Sequence, residues 1–197
     1  IWGKSNWFVN ELFEMLMELA PYILPERSND VLQVMRLMRG TIFRAQALVI
    51  LMPHLTLEEK SEALDEIFSK DYLIKNEVSW GDWLDTLKIL ASYLLPEQLS
   101  KALAFACSVK NDRYRLQTLT ILVPYLTMKE KSVALVEAMA IVRWVEDEEY
   151  RAKAIAILAP HLELEQLTDA LANLQSIRDK KFQVRALVAL APHLWPE

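Results

Sequence analysis

The sequence predicts an all-α chain, a right-handed αα-superhelix (solenoid) of about six helical-hairpin repeats. Three observations predict it. A segment reading aromatic-Arg-Ala-x-Ala-Leu-x-x-Leu-Ala-Pro-His-Leu returns along the chain, most clearly at 43–55, 150–162 and 182–194. Its proline keeps a register: Pro21, Pro53, Pro124, Pro160 and Pro192, with Ser92 in that place in one degenerate copy, at intervals of 32, 39, 32, 36 and 32 residues. No stretch alternates apolar and polar residues as a strand does, and only 3 glycines interrupt the 197 residues. Self-similarity at a fixed period means one supersecondary unit stacked on copies of itself.

Each repeat divides into two helices about its anchor. Thirteen residues before the anchor stand Ser79, Asn111, Asp147 and Asp179. Their side-chain oxygens accept from the free N–H groups of a first helical turn, so a helix starts there. It runs to the anchor with apolar residues three and four apart, as at Ile155, Leu158 and Leu162. A second helix starts three residues after the anchor, where Thr56 with Glu59 and Thr127 with Glu130 form the capping-box pattern. Leu24-Pro25-Glu26, Leu95-Pro96-Glu97 and Trp195-Pro196-Glu197 occupy the same columns. A proline at the first helical position removes only a donor that would be free anyway. An Ala-Leu pair recurs in the second helices, at Ala63-Leu64, Ala102-Leu103, Ala134-Leu135 and Ala170-Leu171, the alanines letting neighbouring helices approach closely. Gly40 reads as a left-handed cap that closes a helix. The pattern gives about eleven helices of ~12–15 residues.

Composition narrows the class. The chain is 53% hydrophobic, enough for a continuous core, and its net charge of −5 argues against a general nucleic-acid binder. No apolar stretch approaches the ~20 residues of a spanning helix, so no membrane is expected. Nothing reads as a signal peptide, which points to the cytoplasm. The lone Cys107 reads as a small core residue, and no disulfide can form within the chain. We expect residues 1–197 to be a single α-solenoid domain cut from a longer protein: the chain opens on Ile1 and stops at Trp195-Pro196-Glu197, where the next helix would begin. The last helix would then leave an apolar stripe uncovered.

Asp147-x-x-Tyr150-Arg151-x-x-Ala154 and Asn111-x-x-Tyr114-Arg115 resemble the Asp-x-x-Val-Arg-x-x-Ala signature of HEAT repeats, and Phe43-Arg44-x-x-Ala47 keeps part of it. The resemblance implies an aspartate–arginine ladder between successive units, broken where Gln183 and Trp83 replace the arginine. The units are close to tetratricopeptide length, without that family's Trp, Gly and Tyr columns. The run from Arg151 to Leu162 is similar to helical repeats of large bacterial proteins that carry NACHT-type (STAND) signal-transducing NTPase modules. That likeness implies a sensor or scaffold acting beside adjacent domains of the same polypeptide.

The candidate functional residues are those that escape the repeat. His54, His161 and His193 follow the anchors, but Tyr22, Tyr93 and Tyr125 share their column. A place open to either ring wants an amphipathic ring at a helix end, so no metal site is expected. No catalytic motif occurs: there is no phosphate loop, Gly-x-Gly-x-x-Gly or Gly-x-Ser-x-Gly. No cofactor and no enzyme activity are expected. The 6 tryptophans stand outside the repeated apolar columns. Trp80 and Trp83 follow a seven-residue insertion containing Tyr72, Trp144 lies in a four-residue insertion, and Trp2, Trp7 and Trp195 lie near the ends. Tryptophan is enriched at interface hot spots. Trp80, Trp83, Tyr72 and Trp144, with Arg115 and Arg151 from the shared arginine column, are the candidate contacts to a protein or peptide partner. Nucleic acid bound along that column, extended by Lys110, Arg113, Lys180 and Lys181, is the alternative.

Overall fold

The proline register is a register of tightened turns. Ala20–Tyr22, Met52–His54, Ala91–Tyr93, Val123–Tyr125 and Ala159–His161 are each a single 3-10 turn with the anchor at its centre. Proline has no N–H for the carbonyl four residues back, and its ring crowds that carbonyl, so the α-helix ends at the four turns that carry it, while Ser92 centres the same turn without that constraint. Pro192 differs, lying inside its helix. The structure, a computed structural model, describes residues 11, 13–23, 27–38, 40–69 and 78–194.

Among these residues all regular structure is helical. Helix α1 covers residues 13–19. It is followed by α2 (Ser28–Leu37), α3 (Thr41–Leu51), α4 (Leu57–Phe68), α5 (Trp80–Leu90), α6 (Pro96–Ser108), α7 (Asp112–Leu122), α8 (Met128–Val142), α9 (Glu148–Leu158), α10 (Leu164–Gln175) and α11 (Lys180–Leu194). No described helix is long and apolar enough to cross a membrane.

The caps explain the boundaries. Ser79, Asn111 and Asp147 accept from the N–H groups of Asp82, Tyr114 and Tyr150. Asp179 accepts from Lys181 N–H at 2.8 Å. Both expected capping boxes form, Thr56 with Glu59 and Thr127 with Glu130. A third, Glu163 with Gln166, has a carboxylate where the other two have threonine. Pro96 opens α6. Gly40 corrects its expectation. The preceding helix ends at Leu37, and Gly40, at φ 95°, stands at the N-cap of α3. It occupies the same column as Ser79, Asn111 and Asp147, so the positive φ turns the chain into a helix rather than out of one.

The chain divides into two compact units, 1–95 and 96–197. In the first, α3 packs on α2, α4 and α5. Met35, Leu48, Leu51, Leu64, Leu87 and Leu90 fill its core. Fully burying each such side chain stabilises by roughly 1.5–3 kcal/mol. In the second unit the anchored helices lie side by side, α7 on α9 and α9 on α11. The capped helices do the same, α6 on α8 and α8 on α10, and each layer packs on the other. Leu116, Leu119, Leu135, Ala138, Ile155 and Leu158 are buried between them. Polar bonds join helices about thirty residues apart: Ser28 Oγ to Glu59 (2.5 Å) and Arg36 to Glu66 (2.7 Å) in the first unit, Ser100 to Glu130 in the second.

One further expectation is overturned. Cys107 is exposed, not part of the core. It stands at the edge of the buried face, one turn after Leu103. The stripe on the last helix is uncovered, with Val184 55% and Val188 68% exposed, while Ala152 and Ile155 of α9, in the columns of Val184 and Leu187, are buried.

Candidate interaction surface

The arginine column turns inward. Arg44 Nε donates to the Met38 carbonyl at 2.7 Å, and its Nη2 donates to the carbonyl of Arg36, so it closes the C-terminus of α2. Arg115 pairs with Asp112 of its own helix and with Glu137 of α8, the latter at 3.1 Å. Arg151 donates to Ser176 Oγ at 2.8 Å. In the same column of α11, Gln183 donates to the Leu174 carbonyl at 3.0 Å. The C-terminal end of α10 is therefore held from both sides, where its last carbonyls lack intrahelical donors. The ladder expected between cap-column aspartates and arginines of neighbouring units does not occur among the described residues. Asp147 is occupied as a cap, and the arginines reach helix ends and Glu137 instead.

Neighbouring anchored helices meet through other groups. The Arg113 guanidinium lies over the Tyr150 ring, 5.4 Å from its centre. Burial pushes the Tyr150 phenol well above its ordinary value, against the opposing effect of Arg113. The Glu148 carboxylate accepts from the N–H groups of Arg178 and Asp179, both at 3.0 Å, at the entry to α11. These contacts take up Arg113, one of the cations that would extend a basic stripe.

The tryptophans separate. Trp83, in the arginine column of α5, is 4% exposed and belongs to the core, while Trp80 one turn earlier is 37% exposed. Trp144 is 80% exposed after the last turn of α8, where its N–H donates to the Ile141 carbonyl at 2.9 Å. Tyr72, Trp2, Trp7 and Trp195 lie outside the described residues. The structure thus brings Trp80 and Trp83 together. It places Arg115 and Arg151 in internal contacts and leaves Trp144 on the surface.

Trp144 belongs to a feature the sequence reading missed. On α8 the exposed positions Lys129, Val133, Val136 and Ala140 follow one helical stripe. Phe105 on α6 and Ala172 on α10 are exposed on the flanking helices. In the middle turns of α8 no exposed residue is charged, whereas Lys101 on α6 and the half-exposed Asp169 on α10 carry charge beside it. Two hydroxyls of this face are turned to their own backbone, Ser108 to Phe105 and Thr168 to Leu164, at 2.7 and 3.1 Å, while Ser100 lies within reach of both the Pro96 carbonyl and Glu130. What remains is an uncharged stripe on α8, flanked by the Lys101–Glu97 and Arg143–Asp169 pairs. The corresponding helix of the first unit, α4, exposes Glu58, Glu62 and Asp65. The signal was available in the sequence as the uncharged outward column Val133, Val136 and Ala140 of α8.

His54, His161 and His193 are partly exposed at the 3-10 turns and the end of α11. Burial, Lys131 and His193 together hold His161 below its ordinary value. No group of three or more His, Cys, Asp or Glu side chains among the described residues could hold a metal ion. Compared with known proteins, the chain matches no family model, no curated protein and no solved structure.

Proposed function

We propose that this chain is a non-enzymatic protein-interaction scaffold or sensor module of a larger bacterial, cytoplasmic protein, its hairpins stacked as one HEAT-like solenoid. The observation that carries the reading is the uncharged outer stripe of α8, with Val133 and Val136 exposed at its centre and Trp144 exposed just past the end of the helix. Contiguous exposed apolar surface of this kind marks partner sites in globular proteins. Val136 is 62% exposed. The engagement of Arg44, Arg115 and Arg151 within the molecule favours a protein partner over nucleic acid along that column.

Photo-crosslinking tests it. A photoreactive residue in place of Val136 should capture a defined protein from an extract of the source cells, and the same residue in place of Glu62 on α4 should not. Val136→Asp should abolish capture from a probe placed at Ala140, with helicity unchanged. Equal labelling from both positions, or a gel shift of DNA or RNA that weakens steeply with salt while no protein is captured, would reject this reading.

A further inference from the structure

The solvent side of the anchored helices in the second unit sorts into rows that cross from helix to helix. Helix α7 lies on α9 and α9 on α11, so residues equally far from their anchors stand side by side. Seven residues before the anchor the row reads Gln117, Lys153, Arg185, and four residues earlier it reads Arg113, Glu149, Lys181. Three residues before the anchor it reads Ile121, Ile157, Ala189. None of these side chains is buried, on α7 and α9 as on α11, so their exposure belongs to the columns and not to one helix. The charge is one-sided. Four cations stand against the carboxylate of Glu149, which pairs with Lys153 at 2.5 Å. Lys181 and Arg185 make no ion pair among the described residues. Of the acids at the helix starts, Asp112 pairs with Arg115, Asp147 and Asp179 act as caps, and Glu148 accepts from backbone N–H groups, which leaves Glu146 at the loop edge. In a chain of net charge −5 this side is positive. The same rows of the first unit carry no Lys or Arg, with Gln46 and Asp85 in the one and Ile42 and Gly81 in the other.

We propose that these rows bind an acidic, aliphatic segment of a partner protein, laid across α7, α9 and α11 with its carboxylates on the cations and its aliphatic side chains on Ile121 and Ile157. Ile157 is 51% exposed, so covering it takes apolar surface out of water. Along each helix the isoleucine row lies ~6 Å from the row of Lys153 and Arg185, so one amphipathic segment reaches both. Three helices packed side by side span ~20 Å, the length of a helical segment of about 14 residues. Charge selects the occupant. A second copy docking by the same rows would set cations against cations, whereas an acidic segment supplies the counter-charges that Lys181 and Arg185 lack. The contact is exposed, so its electrostatic part weakens with salt while its apolar part persists. It lies on the anchored layer and is separate from the α8 stripe, which belongs to the capped layer.

Fluorescence anisotropy tests this with a dye-labelled peptide of that length, glutamates along one helical side and leucines along the other. Saturable binding is expected. Lys181→Glu with Arg185→Glu should weaken it about tenfold, since like charges then face each other. Ile157→Asn should weaken it about fivefold through the lost apolar contact. All three positions are solvent-facing, and circular dichroism checks that the variants keep their helicity. Val136→Asp, on the other layer, should leave the affinity unchanged. A peptide with lysine in place of glutamate should not bind. Absence of binding by the glutamate–leucine peptide, equal binding of a glutamate–serine peptide or of single-stranded DNA, or an affinity indifferent to the Lys181 and Arg185 changes overturns the proposal.

Discussion

Trp80 and Trp83 meet edge to face on α5, ring centres 5.8 Å apart and planes 76° to one another. The geometry suits the ring quadrupoles, and it joins a partly exposed indole to a buried one. Trp83→Ala removes a core side chain and should lower stability by about 3–5 kcal/mol. Trp80→Ala loses mainly the ring pair, about 0.5–1.5 kcal/mol. Urea unfolding followed by far-ultraviolet circular dichroism separates the two, and equal midpoints would contradict the assignment of Trp83 to the core.

Gly40→Ala should cost about 1–2 kcal/mol, because an L side chain at positive φ brings its Cβ against the backbone. Space is not the obstacle: the nearest heavy atom to an added Cβ is Phe43 Cδ2 at 3.4 Å. Thermal unfolding that leaves the variant's midpoint unchanged would show that α3 can begin without this turn.

The carboxyls of Glu59 and Glu130 lie below their ordinary value of 4.5, chiefly through the hydroxyls of Ser28 and Ser100. The unfolded chain therefore takes up these protons at higher pH than the folded one. Their contribution is present above 4.5 and is lost as pH falls through the lower folded values. Ser100→Ala should move the Glu130 carboxyl upward in a carbon-detected titration and make the acid limb of the stability curve shallower. A Glu130 titration unchanged by that substitution would remove the link between α6 and α8.

His161 behaves in the same direction in another window. Its folded value lies below 6.5, so the unfolded state protonates first and stability drops as pH falls below that point. His161→Tyr, the ring that Tyr93 and Tyr125 place in this column, should flatten that step. Urea midpoints on either side of 6.5 measure it, and an unaltered step would assign the dependence to another group.

Helix order, anchors and caps were legible in the sequence because each depends on neighbours in the chain. A proline ends its own helix, and Thr127 caps the turn that follows it. The surface was less legible, because exposure is decided by what packs on a helix. Trp83 read as a break in the arginine column, yet the position lies at an interface between helices, where arginine reaches a helix end and an indole fills the same space. Cys107 read as core by its small size, but it stands at the margin of the packed face, where neighbours cover it only in part. Gly40 was read by the commonest use of glycine, and its distance from Pro53 would have placed it among the N-caps.

The exposure of Cys107 makes it a chemical handle. It is the chain's 1 cysteine, so a maleimide dye would attach at a single point on α6, two residues from Phe105. Desolvation and then the Glu137 carboxylate hold its thiol above the ordinary 9.0, so coupling should run slowly at neutral pH and faster in mild base. A fluorophore placed there would brighten or quench as the neighbouring surface fills, reporting occupancy with no second thiol to mask.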